Sequence, residues 1–306
     1  METERFKIKG RHSLDLDCIK VAPKKAPKAI IQIFHGMGEH KERYLPFMEY
    51  LAQDGYAVYC HDHRNHGQSV RNETAVGVFL KEDLFTDMVD DAYFLSRKIL
   101  KDYPGKDIYI LGHSMGSIIA RYYLGEYPLV AKKAILMGTL PGYSLTKALP
   151  MLLAASVLKL FTSKTKPSEF LAEKANKGLQ PEFGIPRTKF DWLSREVEVV
   201  DAYINDPLCG YAYTPQFYIQ FGKGLVTINK SSFISKTKDI PILFISGEAD
   251  PVGEMGKGVT DIFRQFSGHG YTQLTLKLIP EAKHEILNET DRLTTYEIIK
   301  DWLNEK

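Results

Sequence analysis

Apolar and polar positions along the chain follow two alternating rhythms. Residues 4–10 and 14–22 alternate with period two and predict a hairpin. From Ala29 to Phe34 the chain is apolar but for Gln32 and then meets His35-Gly36, the pattern of a strand covered on both faces. Glu42 to Asp54 has helical periodicity and stops at Gly55. Tyr56 to Cys60 is the next strand, and Leu84 to Tyr103 is a long amphipathic helix ending before Pro104. Strand 108–111, helix 115–127 and strand 133–138 follow. Strand 242–246, helix 254–267, strand 273–279 and a helix over 294–304 continue the order downstream. Strands alternating with helices predict an α/β class fold, a mostly parallel sheet with helices on both faces.

Residues 141–240 break this rhythm. They read as helical and aromatic, and Pro141, Pro150, Pro167, Pro181, Pro186, Pro207 and Pro215 punctuate them. The expectation is a core of residues 1–140 and 241–306 with an inserted helical cap over 141–240. Within the cap, residues 148–161 (ALPMLLAASVLKLF) carry only Ser156 and Lys159 as polar positions. A helix apolar on nearly all faces is buried or touches something apolar, and fourteen residues are too few to span a bilayer. Three readings stay open: cap core, an acyl-chain wall or lipid-docking surface that would use Leu152 and Leu153, and a dimer interface. Phe183, Phe190, Trp192, Tyr211, Tyr213, Phe217, Tyr218 and Phe221 could complete an apolar pocket, and Cys209 could line it.

The candidate chemistry sits at a strand-to-helix junction. Gly112-His113-Ser114-Met115-Gly116 places one serine between two glycines, directly after a strand and before a helix. This is the context of a nucleophile elbow, where the turn strains the serine backbone and small neighbours permit close approach. A hydroxyl needs a base, and the base needs an orienting acid. After such an elbow the acid and then the histidine follow along the chain. Of the two late histidines, His269 precedes strand 273–279, whereas His284 follows it at the carboxyl edge, where ligands bind in parallel sheets. His284 is therefore the expected base. Asp250 and Glu248 both leave strand 242–246 at that edge. Asp250 is favoured because Asp-Pro-Val-Gly reads as a fixed turn. The oxyanion donors are expected to be the backbone N–H groups of Met115 and of Met37, in the glycine-flanked loop FHGMGEHKERY.

In combination, His35-Gly36-Met37-Gly38-Glu39-His40, Asp62-His63-Arg64-Asn65-His66-Gly67-Gln68-Ser69, the Ser114 elbow and the Asp250/His284 pair resemble the monoacylglycerol lipase and lysophospholipase group of α/β-hydrolases. The resemblance covers residues 29–139 and 240–304. It implies the α/β-hydrolase fold and a serine esterase or lipase with Ser114, Asp250 and His284 as triad, Met37 and Met115 as oxyanion donors, and a cap over the site. It implies a small-molecule ester with an acyl chain as substrate. Rivals on the same triad are a thioesterase, an acyltransferase and a proline iminopeptidase type of peptidase. The peptidase would need acidic cap residues for a substrate amine, and Glu169, Glu173, Glu196, Glu198 and Asp201 are available. A non-catalytic binding protein would not need the complete triad.

Composition changes little in this picture. The 306 residues are 44% hydrophobic and 25% charged with net charge +2, which gives no basic stripe for nucleic acid. Three scattered cysteines, Cys18, Cys60 and Cys209, argue against a disulfide framework and for a reducing, cytoplasmic setting. The polar start METERFKIKGRHS is not expected to act as a signal peptide. His61, His63 and His66 beside Asp62 superficially resemble a metal site, but His61 and His63 stand two apart beside a strand end, and the family resemblance implies a structural turn here. No metal or cofactor is expected.

Overall fold

A computed structural model describes residues 1–71, 76–177, 179 and 186–305. Pro181 and Phe183 lie outside the described residues. Among the described residues eight strands form one sheet in the order β1-β2-β4-β3-β5-β6-β7-β8. They are β1 (Glu2–Lys9), β2 (Asp15–Ala22), β3 (Ile30–Phe34), β4 (Ala57–His61), β5 (Ile108–His113), β6 (Ala131–Met137), β7 (Ile242–Gly247) and β8 (Leu274–Ile279). β1 and β2 form the antiparallel hairpin, β2 runs antiparallel to β4, and every pairing from β4 to β8 is parallel. This is the α/β-hydrolase fold.

Side-chain alternation along the central strands divides the core into two layers. Phe34, Ile110, Leu136 and Phe244 point to one face, where α2 (Phe85–Asp102), α3 (Met115–Glu126) and α9 (Lys257–Gly268) cover them. Ile33, Leu111, Ile135 and Ile245 point to the other, under α1 (Leu45–Gln53) and α10 (Arg292–Asn304). Buried on both faces, these strands read as continuous apolar runs rather than alternating ones.

Two predicted boundaries move. The helix expected over 42–54 is a 3-10 turn, Lys41–Tyr44, leading into α1 at Leu45-Pro46. Proline at the second helical position lacks only an N–H that would have no partner there. The helix expected from residue 254 begins at Lys257, because Glu254, Met255 and Gly256 all have left-handed backbones, φ 50°, 56° and 80°. Between β6 and β7 the chain forms α4 (Leu145–Phe161), α5 (Glu169–Asn176), α6 (Val197–Asn205), α7 (Pro215–Ile228) and α8 (Ser231–Ile234). α4 lies along α7, and Leu152 packs where a side chain at Gly222 would otherwise stand. Among the described residues no helix is long and apolar enough to cross a membrane.

Candidate active site

All four segments carrying site residues leave the sheet at the carboxyl ends of parallel strands. β3 leads to Gly36–His40, β5 to Ser114, β7 to Asp250 and β8 to His284. Ser114 sits at φ 53°, ψ −119°, outside the regions open to ordinary residues. Its N–H donates to the carbonyl of Met137 at 2.9 Å, and the hydroxyl of Ser117 donates to its carbonyl at 2.6 Å. The glycines on either side are steric requirements. A Cβ at Gly116 would collide with the Phe34 carbonyl, and one at Gly112 with the carbonyl of Gly116.

Nδ1 of His284 donates to Oδ2 of Asp250 at 2.9 Å. Ser246 Oγ donates to the same oxygen at 3.1 Å, and the N–H of Val252 to Oδ1 at 2.8 Å. Burial pushes the Asp250 carboxyl up, but the His284 ring and these donors outweigh it and hold it below the usual carboxylate range. Glu248 is exposed, and among the described residues its carboxylate has no hydrogen-bond partner. The structure therefore brings Asp250, and not Glu248, to His284. His269 is far from this edge and pairs instead with Ser231 at 2.7 Å.

The loop after β3 has three candidate donors, and two are occupied. The N–H of Gly36 donates to Oε1 of Glu39 at 2.6 Å. That of Gly38 donates to the Tyr213 hydroxyl at 2.6 Å, which itself donates to Nε2 of His66 at 2.8 Å. Among the described residues the N–H groups of Met37 and Met115 have no protein partner. For Met115 this follows from its place in the first turn of α3, where backbone donors have no intrahelical acceptor.

A buried ionic network underlies this loop. Glu39 accepts from Tyr44 at 2.8 Å, His113 at 3.2 Å and Arg43 at 2.8 Å, and Arg43 donates twice to Glu285 at 2.6 Å. Burial alone would raise the Glu39 carboxyl, but His113 and Arg43 hold it well below its usual range. Burial likewise lowers the His113 ring, and Glu39 more than offsets it, so the ring titrates above its ordinary value. Sequence reasoning missed this network. Its legible signals were Glu39 and Arg43 four residues apart and Glu285 directly after His284.

One cavity of about 680 Å³ opens onto these groups, lined by Met37, Ser114, Met115 and His284. Its walls are mainly apolar and come largely from the stretch between β6 and β7: Met151 and Ala154 of α4, Leu171 of α5, and Phe190, Trp192, Tyr211, Tyr213, Tyr218 and Phe221. Phe217 does not reach it and stacks behind on Tyr213 with ring centroids 3.9 Å apart. Leu152 and Leu153, expected as substrate contacts, do not line it. Leu152 faces α7, and Leu153 is 56% exposed on the outer side of α4. Cys209 also stays out of the wall, packed with Phe190, Leu193, Val200 and Tyr203. The histidine-rich turn is a packing unit: His63 donates its N–H to His35 Nε2 at 2.9 Å, and His66 Nδ1 donates to the Arg64 carbonyl at 2.9 Å.

A parallel-sheet hydrolase fold with a strained serine at the elbow, a histidine–aspartate pair and an apolar cavity at one strand edge defines an α/β-hydrolase. The chain belongs to the serine aminopeptidase S33 family, Hydrolase_4, whose model matches residues 25–291. It is 27% identical to the monoglyceride lipase of Rattus norvegicus over 300 residues, 95% of this chain and 87% of the rat protein. It is 25% identical to the monoacylglycerol lipase of Mycolicibacterium smegmatis over 282 residues, 92% of this chain and 90% of that one. A thermostable carboxyl esterase from Bacillus coagulans, crystallised with glycerol, has the same architecture: TM-score 0.91 and 26% identity, covering 99% of this chain and 98% of that one.

Proposed function

We propose that the protein hydrolyses carboxylic esters of a single acyl chain, monoacylglycerol- or lysophospholipid-like, through an acyl-enzyme. The observation that carries this reading is the strained Ser114 opening, with His284 bound to Asp250, onto one apolar cavity. It is a carboxylic ester hydrolase with a serine nucleophile. His284 takes the Ser114 proton as the hydroxyl oxygen attacks the ester carbonyl, and the N–H groups of Met37 and Met115 receive the oxyanion. Collapse returns that proton to the leaving alcohol and leaves the acyl group on Ser114. Water, deprotonated by His284, then cleaves the acyl-enzyme to the free acid. Asp250 orients the ring and stabilises its charged form.

Residues 141–240 act as the cap. A cavity of 680 Å³ is within the range of about 300–1,000 Å³ that small-molecule sites occupy. Met151, Ala154, Leu171 and Phe221 offer the acyl chain an apolar wall. The outer face of α4 exposes Leu145, Leu149, Leu153, Leu160 and Phe161, a stripe suited to transient contact with a lipid surface. The peptidase alternative needs a free carboxylate for the substrate amine. None of Glu169, Glu173, Glu196, Glu198 and Asp201 lines the cavity; of the carboxylates that do, Glu39 and Glu285 are committed to Arg43, and Glu254 is 44% exposed and faces Lys257 at 3.9 Å. Cys18, Cys60 and Cys209 are unpaired, which suits a reducing cytoplasm.

The test is a panel of nitrophenyl esters from two to sixteen carbons, a monoacylglycerol, a lysophospholipid and aminoacyl amides. Medium- or long-chain esters are expected to lead. Preferential hydrolysis of the amides would overturn the reading in favour of a peptidase.

A further inference from the structure

The loop that carries Met37 ends at a second cluster, apart from Ser114. His40 lies in extended backbone just before the 3-10 turn. Its Nε2 stands 2.8 Å from Oδ2 of Asp206, and Sγ of Cys209 completes a group whose three atoms lie within 4.8 Å of one another. None of these residues lines the cavity, and the hydrolytic mechanism does not use them.

We propose that His40, Asp206 and Cys209 form a binding site for a soft divalent transition metal of the Zn²⁺ type. Imidazole, carboxylate and thiolate are the donor set such ions select. Ligands at about 2.0–2.3 Å from a tetrahedral ion stand roughly 3.3–3.7 Å apart, so closure needs movements of about an ångström. The carboxylate side can supply them, since the Asp206 side chain is 30% exposed while His40 and Cys209 are buried. That exposure also gives an ion its route in and a fourth position for water.

The ligand segments are fixed by groups other than the ligand atoms. The N–H of Leu208 donates to the second carboxylate oxygen of Asp206 at 2.8 Å, and the N–H of Cys209 to the Asp206 carbonyl at 3.0 Å. The N–H of Gly210 donates to the Gly38 carbonyl at 3.0 Å and ties this turn to the loop. Arg43, the cation beside Cys209, is neutralised by Glu39 and Glu285. On binding, Cys209 coordinates as thiolate and its proton leaves to solvent. The ion then clamps the Gly36–His40 loop to the 206–209 turn, which continues directly into the cavity residues Gly210 and Tyr211. Sequence spacing conceals the cluster, because His40 and Asp206 are 166 residues apart.

The experiment titrates the full-length, chelator-treated protein with Co²⁺ alone and then with Zn²⁺ alone. One equivalent of Co²⁺ should produce a near-ultraviolet thiolate-to-cobalt charge-transfer band, which Zn²⁺ displaces. Cys209→Ser should abolish the band, and His40→Asn should weaken Co²⁺ binding at least about tenfold. Zn²⁺ should raise the wild-type melting temperature and leave that of the variant combining Cys209→Ser with His40→Asn unchanged. A wild-type protein without the band overturns the proposal by itself, whatever the variants do. A band that survives in Cys209→Ser overturns it too, by assigning the thiolate to Cys18 or Cys60.

Discussion

At Ser114 the backbone is held at φ 53°, ψ −119°, a conformation that costs about 1–3 kcal/mol and persists only where its surroundings impose it. The surroundings here are Gly112 and Gly116, whose missing side chains let the elbow pass against Phe34 and its own helix. Gly116→Ala should therefore destabilise the protein by more than about 3 kcal/mol, read by urea unfolding; a loss under about 1 kcal/mol would show that the elbow can relax. The two acids separate in the same way. Asp250→Asn should lower kcat by about 10⁴, because His284 would then be held in the wrong tautomer. Glu248→Gln should change it less than about tenfold, as for an exposed loop charge. The opposite ranking in steady-state kinetics would move the role to Glu248. These residues were legible in the sequence because parallel-strand topology fixes which loop ends share an edge. The Glu39–Arg43–Glu285 network was not, since Glu285 meets Arg43 only after two segments 242 residues apart have folded together.

α4 shows where periodicity carries no information. With nearly every position apolar, the sequence sets no rotational phase, so Leu152 and Leu153 could be read as wall residues. The structure turns Ala148, Met151 and Ala154 inward and leaves Leu145, Leu149 and Leu153 outside. Prolines and the broken rhythm set residues 141–240 apart from the strand–helix alternation but did not say which face of α4 meets the site. This phase makes a sharp test. A buried methylene contributes about 0.8 kcal/mol, so kcat/KM should rise up to about fourfold per methylene along the wall. Met151→Asp should flatten that rise while sparing acetyl esters. Leu153→Asp should leave soluble esters untouched and weaken adsorption to phospholipid vesicles. If Leu153→Asp flattens the chain-length series and Met151→Asp does not, the helix is rotated from the position described.

For the molecule as a whole, acid should be more damaging than composition suggests. Burial lowers His35 to about 4 and His61 and His66 to about 3. These rings stay neutral in the folded protein, whereas the unfolded chain takes up protons from about pH 6.5 downward. Unfolding therefore binds protons below that pH, and stability falls as pH drops from about 6.5 toward 4. Neither ring nitrogen of His61 has a partner among the described residues, so His61→Phe breaks no hydrogen bond. That variant should reduce the slope of unfolding free energy against pH by up to about 1.4 kcal/mol per unit, measured by urea unfolding between pH 7 and 5. An unchanged slope would mean that His61 is protonated in the folded state. The central claim is that Ser114 is the reactive serine, because among the described residues only Ser114 combines an elbow, a cavity and a histidine held by a buried carboxylate. The most direct measurement treats the intact protein with a fluorophosphonate and maps the adduct by mass spectrometry. Stoichiometric labelling at Ser114, abolished in Ser114→Ala, is the predicted result; labelling at another serine with Ser114 unmodified would contradict the account.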